Sequence, residues 1–573
     1  MIGDVGILNG SIICVKDCNN YSSTSEIQGS GYYLTPGFID VHAHLDVAPF
    51  LDNRMLPQVH QGITTVAVGM CGLSPAPFNM KNDTLIYRFF KLKIIDEFKQ
   101  RPFVNFSVYL EEMGKKSFPV NIVPLVGHGA IRSMVLGNDP VDASEKDIGK
   151  MKEIAEEAMK AGAFGMTTGL IYPPGLFANT NELIEISKTI SKFGGIYMSH
   201  VRSESDDIVK SVEEVIKIGK EAGIPAQVHH FKVCGAKNKG KGIEAVNLIE
   251  KARKDGYDVT ADQYNFQMSA TTFSSLLPPW SIAGSAQDIV NRLANSTTRN
   301  QIKSDIINGI PDFDNMWQNV GTPSGIVFLS APGHDEYSGK SVAELAGAQD
   351  PLEWSLDFLM NNMEDDALCL FYEIQEEDMR TIMLKDFVMV GSDCQFVDLA
   401  SSNKVHPRSV ASHSRFLRQY VKEEHFISME AAIRKMTGFP AERYGISSKG
   451  VIKIGYDADI NLFSLDKIND TTKDTGNPVL SSGMEYVFVN GKMIIQNGAV
   501  TSNKPGNVLR RYNYPISTPA PKTPDNNNTS KGKNYTTTIT IVFLSITSIT
   551  LAIIVLMKDK KSEKTAITEA ILV

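Results

Sequence analysis

A chain of 573 residues with 42% hydrophobic content can bury a large core, as several domains or as one barrel with a satellite. A net charge of −8, a pI near 5.8 and the absence of a basic stripe or aromatic RNA motif exclude nucleic acid as a partner. Six cysteines (14, 18, 71, 234, 369 and 394) are too few for a disulfide scaffold of this size, although Cys14 and Cys18 are close enough in sequence to pair.

Residues 4–34 are short and β-rich, with Asn9-Gly10 as a turn. The run Thr35 to Asp46 then leads from a Pro-Gly turn through Phe38, Ile39 and Val41 into two histidines. A strand repeats every two residues, so His42 and His44 project from one side, as metal ligands at a strand tip would. The chain has only 11 histidines, which favours that reading over a strand that happens to end in two of them. Gly69-Met70-Cys71-Gly72, Tyr197-Met198-Ser199-His200, Gln227 to Lys232 and Val390-Gly391-Ser392-Asp393 share this grammar. Each places a ligand-type side chain after an apolar run. Helical patterns such as Ser144–Lys160 and Asp206–Lys220 lie between them, so strand and helix alternate as in a parallel barrel. A barrel gathers its strand ends at one mouth, where Cys, His and Asp side chains remote in sequence can together hold a divalent ion such as zinc.

The stretch from about 271 to 350 breaks the rhythm with Pro278-Pro279-Trp280, Pro311, Pro323 and Pro332-Gly333. It reads as a lid insertion or as a surface excursion. Residues 450–511 return to a β-rich pattern. Residues 512–536 are rich in Pro, Asn, Thr and Lys and read as a flexible stalk. Within 537–557, the 19 residues Ile539–Met557 carry no charge and predict a transmembrane helix, moderated by Ser545, Thr547, Ser548 and Thr550. The short charged tail 558–573 carries Lys558, Lys560, Lys561 and Lys564. The positive-inside rule therefore predicts a single-pass membrane protein with its catalytic domain extracellular or lumenal and its tail cytosolic. Nine Asn-x-Ser/Thr sites fit a glycoprotein on that side, with the three in the stalk as the best candidates. No secretory leader is visible at Met1, which points either to a missing amino-terminal segment or to tail anchoring with the enzyme facing the cytosol.

The segments PGFIDVHAHLD (36–46), GMCGLSPAP (69–77), VGHGAIR (126–132), YMSHVRSE (197–204), DVTADQY (258–264), VMVGSD (388–393), HPR (406–408) and IRKMTGFPAERYGI (433–446) resemble the amidohydrolase superfamily. Within it, the combination of Gly-x-Cys-Gly with HPR and AERxG resembles the N-acyl-D-amino-acid deacylase (D-aminoacylase) family, over residues 1–511. The resemblance implies a (β/α)8 TIM-like barrel over 36–449 and a small β-sandwich built from both chain ends, 1–35 and 450–511. It implies one tightly bound zinc on Cys71, His200 and His230, and a weaker second site on His42, His44 and Asp393. Asp393 would act as general base and then general acid. Lys232, Arg408, Tyr264 and Tyr172 would bind the substrate, with the carboxylate on the cations. His229, adjacent to His230 and pointing the other way, reads as packing or support. Arg202 reads as the partner of Glu204.

Some residues depart from the family pattern. Tyr264-Asn265-Phe266 stands where Tyr-Pro-Tyr is usual, Ala270 where a hydroxyl is usual, and Cys394 where Gly is usual. These bear on acyl and side-chain preference, not on the metal. The expected function is zinc-dependent hydrolysis of N-acyl-D-amino acids or related D-peptides. The rivals are a cyclic-amide hydrolase of the hydantoinase or dihydroorotase type, which uses a carbamylated lysine where this chain has Cys71, and an inactive membrane-anchored surface protein.

Overall fold

The computed structural model describes residues 3–78, 103–470, 477–514 and 552–555. Eight parallel strands form a barrel: β1 (Phe38–Asp40), β2 (Ile63–Val68), β3 (Asn121–Pro124, resuming at Val126–Gly127), β4 (Gly165–Gly169), β5 (Ile196–His200), β6 (Ala226–Val228), β7 (Val259–Gln263) and β8 (Val388–Val390). Each pairs in parallel with the next from β1 to β8. The ring closes through a short parallel pairing of Ala43–His44 with Cys394–Gln395, and Asp393 N donates to His42 O at 2.8 Å. The β2 sequence Ile-Thr-Thr-Val-Ala-Val is buried throughout and mostly β-branched, as a strand covered on both faces requires.

Helices cover the barrel. Glu145–Ala161, between β3 and β4, starts at a capping box in which Ser144 and Asp147 satisfy each other's backbone, and it ends at Gly162 in the left-handed region. Ile208–Ala222 follows β5 with its apolar stripe of Ile208, Val212, Val215 and Ile218 against the sheet. Both fall within two residues of the helical patterns expected from the sequence.

Between β7 and β8 the chain leaves the barrel to build an insertion with its own core. Ser269–Thr272, Ile326–Ser330 and Leu368–Phe371 form a three-stranded antiparallel sheet, and Phe273, Leu276, Phe328 and Phe358 pack beneath it. Its paired strands run to Phe371, beyond the expected boundary near 350, because Leu368–Phe371 is the central strand of that sheet.

The remaining strands form two sheets. Ala499–Val500, Lys492–Gln496, Met484–Val489, Ile460–Phe463 and Tyr33–Pro36 make one. Ser11–Lys16, Asp4–Leu8 and Ala552–Val555 make the other. Val5, Ile7, Ile12, Leu34, Ile460 and Phe488 fill a common apolar core. Cys14 and Cys18 are joined in a disulfide beside this core.

The carboxy-terminal transmembrane helix expected over 537–557 is overturned. Among the described residues no helix is long and apolar enough to cross a membrane. Four residues of the expected span, Ala552–Val555, are instead a strand paired antiparallel to Asp4–Leu8, with Val5 opposite Val555. Three of the four residues, Ile553, Ile554 and Val555, are β-branched, and an open sheet edge offers the segment backbone partners. The rest of 537–557, residues 515–536 of the expected stalk (512–536) and the tail (558–573) lie outside the described residues, while Arg511–Asn513 is a 3-10 turn. The single-pass location, with the catalytic domain outside and the tail in the cytosol, was inferred from that helix and is withdrawn with it.

Candidate active site

The carboxyl ends of the barrel strands deliver the site. His42 and His44 follow β1, Cys71 follows β2, Tyr172 follows β4, and His200 ends β5. His229, His230 and Lys232 follow β6, Tyr264 follows β7, and Asp393 follows β8. Arg408 opens the helix Arg408–Arg415 beyond β8. All these side chains except Tyr172 belong to buried residues, so long-range sequence spacing has become contact.

Three overlapping donor clusters result among the described residues, one of them His42, His229 and Asp262. Cys71, His200 and His230 bring their ligand atoms within 4.8 Å of one another, and so do His42, His44, Cys71 and Asp393. Cys71 Sγ lies 3.4 Å from His230 Nε2 and 3.4 Å from His42 Nε2, between the two groups. Bond lengths of ~2.0–2.3 Å at tetrahedral angles put neighbouring zinc ligands about 3.5 Å apart, so this spacing fits zinc. His200 supplies a second test. Both its ring nitrogens are buried without a hydrogen-bond partner among the described residues, and its nearest carboxylate oxygen, on Glu204, is 3.9 Å away. An orphaned buried polar atom costs about 1–3 kcal/mol, and a bound cation removes that cost for the coordinating nitrogen.

Three of these residues hold their backbone at positive φ: Cys71 at 52°, His230 at 30° and Asp393 at 51°. Non-glycine residues rarely adopt this region, and such strain gathers at functional sites. The neighbouring chain enforces it. Gly69, at φ 85°, lies so close to Leu125 O that a Cβ would come within 1.9 Å, so the turn before Cys71 admits only glycine there. Asp40 pins the turn before Asp393 by accepting from Ser392 N at 2.9 Å and from Ser392 Oγ at 2.5 Å.

Charge is arranged around Asp393. Its carboxylate meets Arg408 Nη1 at 2.8 Å, His44 Nε2 at 3.1 Å and His42 Nε2 at 3.4 Å. Burial opposes its ionisation, but Arg408 and the two histidines outweigh burial and hold the carboxyl well below the usual carboxylate range. Burial, aided by Asp393, pushes the Cys71 thiol up, and a cation is what would reverse this. Burial pushes His200, His229 and His230 well down, so these imidazoles are neutral, as ligation requires.

A cleft partly open to solvent lies over these groups. Tyr264 is buried between two cations, with Arg408 4.8 Å and Lys232 5.4 Å from its ring centre, and its hydroxyl has no partner among the described residues. Tyr172 OH is bonded to Thr271 Oγ1 at 2.9 Å. The insertion contributes Ser269 to Thr272 and Met316 to the lining. Ala270 lines the cleft, while the adjacent Ser269 hydroxyl is taken by Glu373 at 2.5 Å.

Sequence reasoning missed several supporting groups. Asp262, in the middle of buried β7, accepts from His42 Nδ1 at 3.0 Å, from His230 N at 2.9 Å and from Gln227 Nε2 at 2.7 Å. An acid within the buried strand Val-Thr-Ala-Asp-Gln was the available signal. Glu204 does not pair with Arg202. Arg202 binds Glu214 at 2.8 Å, and Glu204 faces Lys232 at 2.5 Å and His230 Nδ1 at 2.8 Å. His229 sits in the site with Nδ1 3.9 Å from Cys71 Sγ.

Residues 373–494 match the model of the amidohydrolase family. D-aminoacylase of Alcaligenes xylosoxydans xylosoxydans is 30% identical over 508 residues, covering 89% of this chain and 93% of that protein. A crystal structure of D-aminoacylase superposes with a TM-score of 0.74 at 27% identity, over 89% of this chain and 96% of the other. N-acyl-D-glutamate deacylase from Bordetella bronchiseptica, complexed with zinc and a phosphonate inhibitor that mimics the tetrahedral intermediate, superposes at 0.73 and 26% identity, over 88% and 95%. With barrel, cleft and donor clusters in place and this identity along nearly the whole length, the chain belongs to the D-aminoacylase family of the amidohydrolases.

Proposed function

We propose that this protein hydrolyses the amide bond of N-acyl-D-amino acids, releasing a carboxylate and a D-amino acid, with zinc held by Cys71, His200 and His230. One observation carries this reading. Ligand atoms from β2, β5 and β6 meet within 4.8 Å of one another, beside Asp393 of β8, in a chain 30% identical to D-aminoacylase.

Zinc bound to these three residues would supply Lewis acidity, polarising an amide carbonyl and acidifying water toward a pKa of ~7. Asp393 accepts the proton that the attacking water loses as its oxygen bonds to the carbonyl carbon. It returns that proton to the amide nitrogen as the C–N bond breaks, so the amine leaves neutral. Arg408 holds Asp393 ionised and fixes one of its oxygens, leaving the other toward His42 and His44. The substrate carboxylate is received by Lys232 and Arg408, and the unpaired Tyr264 hydroxyl donates to it. Tyr172, held by Thr271, also lines the cleft. His42, His44 and Asp393 would hold a second ion more weakly, because Arg408 already holds one Asp393 oxygen.

The test is turnover by the full chain of a panel of N-acetyl-D- and N-acetyl-L-amino acids with zinc present. Hydrolysis of the D-series alone supports the proposal. A zinc-loaded, folded protein inert on every member of the panel sinks it.

A further inference from the structure

Beside the cleft over the donor clusters lies a second chamber that the reaction as described does not use. Tyr172, Thr272 and Met316 line both spaces, so the two adjoin. The chamber's other apolar walls are Ile171 and Leu176, from the segment after β4, and Leu277, Ile282 and Phe313, from the insertion.

The polar groups of the chamber already have partners. Among the described residues that line it the one cation is Arg202, which donates to Glu214 at 2.8 and 3.1 Å and to the carbonyls of Leu176 and Ala178. Asp314 accepts from Glu204 N at 2.9 Å, from Ser205 Oγ and from Asn319 Nδ2 at 3.1 Å, and so ties the insertion to the loop after β5. Thr272 Oγ1 lies 3.2 Å from Ser274 Oγ and 3.3 Å from Ser275 Oγ, so these hydroxyls bond to one another. Asp312 is exposed and adds negative charge. Such a chamber offers apolar contact and holds no free partner for an anion.

The parts of the substrate differ in what they need. The carboxylate goes to Lys232 and Arg408, which line the cleft and not the chamber. The side chain of the amino acid branches from the carbon next to that carboxylate, so it stays near the same cations. The acyl chain is attached beyond the amide nitrogen, on the carbonyl that zinc on Cys71, His200 and His230 would polarise. The Tyr172 ring, at the border of the chamber, lies 5.1 Å from the His200 ring. The acyl chain is therefore the part of the substrate closest to that border.

We propose that this chamber is an acyl subsite, and that the preferred substrates are N-acyl-D-amino acids whose acyl group is an apolar chain longer than acetyl, passing Tyr172 to lie among Ile171, Leu176, Leu277, Ile282 and Phe313. This rests on the deacylase reading above and narrows it. The insertion then sets acyl preference, while the barrel supplies the metal ligands and the cations.

The experiment measures kcat/KM of the full chain with zinc on the N-acetyl, N-hexanoyl and N-succinyl forms of one D-amino acid. Each methylene withdrawn from water is worth about fourfold, so the hexanoyl form should exceed the acetyl form by about 100-fold. The succinyl form, whose second carboxylate meets no free cation in the chamber, should gain nothing over acetyl. Ser275 lines the chamber and not the cleft, and Ser275→Phe fills it, so the hexanoyl-to-acetyl ratio should fall toward one. If Ser275→Phe lacks native circular dichroism, Ile171→Trp, on another wall, takes its place. A wild-type chain that cleaves the acetyl form with no preference for hexanoyl overturns the inference and leaves the deacylase reading intact. Preference for succinyl overturns it too, as does a folded, filled variant that keeps the wild-type ratio. A filled variant that instead rejects bulky D-side chains in the acetyl series gives the chamber to the side chain and overturns the acyl assignment. Inertness on every form removes the deacylase reading itself, and the subsite with it.

Discussion

Asp393→Asn separates the proposed proton shuttle from the observed ion pair with Arg408. Asparagine keeps the shape but can neither take a proton from water nor neutralise Arg408, whose side chain is only 2% exposed. Losing a positioned proton acceptor lowers kcat/KM by about 10²–10⁴-fold, roughly 3–5 kcal/mol of barrier. Leaving Arg408 as a buried cation without its counter-charge destabilises the fold by about 3–5 kcal/mol. The two effects are similar in size and different in kind, so a second substitution pulls them apart. Asp393→Asn/Arg408→Met has no buried unpaired charge and should recover most of the lost stability while remaining inactive. The assay is kcat/KM on an N-acetyl-D-amino acid, with Tm and zinc content measured on the same preparations. Zinc should remain in both variants, since Cys71, His200 and His230 are untouched. Activity of Asp393→Asn within about tenfold of wild type refutes the proton-shuttle role. A double variant as unstable as the single one refutes the charge reasoning.

Further outcomes follow from other parts of the structure. Stripping zinc with a chelator should lower Tm and restoring it should reverse the change, because saturating ligand stabilises by about 4 kcal/mol at a thousandfold excess over Kd. Cys71→Ala should abolish this zinc-dependent difference, and persistence of the full difference would remove Cys71 from the metal site. Asp314→Ala loses charge-assisted bonds to Glu204 N and Ser205 Oγ of about 1.5–3 kcal/mol each, partly offset by freeing a buried acid. Hydrogen exchange should then quicken in 313–320 and 203–206 before the barrel strands, and uniform exchange would show that Asp314 is no latch. Burial, with Asp314 nearby, pushes the Glu373 carboxyl up to about 8, so the native state keeps a proton that the unfolded chain has lost above ~4.3. The native state binds more protons between these values, so stability falls as pH rises from about 5 to 8. Glu373→Gln should flatten that part of a Tm–pH curve, and an unchanged slope would refute the assignment.

The candidate ligand positions were legible as a group because strand ends converge at a barrel mouth. His42, His44, Cys71, His200, His230 and Asp393 each close an apolar run, and the fold brings them together. The groups behind them were harder to read. Asp262 and Glu204 act through partners on other strands, and no local spacing shows which histidine an acid will meet. Arg202 was a plausible local decoy for Glu204, but the loop turns it outward to Glu214. The insertion was visible as a break in rhythm, while its end at Phe371 depends on strand order, which hydrophobic pattern does not encode. The expected membrane helix fails for the opposite reason. A short apolar stretch rich in β-branched residues suits a span and a strand alike, and pairing with Asp4–Leu8 decided for the strand over Ala552–Val555.

The left-handed backbone at Cys71, His230 and Asp393 has an evolutionary consequence. At each of these three positions glycine would relax the main chain by about 1 kcal/mol or more and delete the functional side chain in one step. Selection for activity therefore opposes selection for stability at the same codons. In a lineage released from turnover, glycine at Cys71 or His230 relieves this strain, whereas glycine at Asp393 also strands the buried Arg408 cation, and erosion of His42 or His200, whose backbones are unstrained, brings no such relief. The order in which these residues disappear among decayed copies of this fold thus carries a directional record, with Cys71 and His230 going before Asp393.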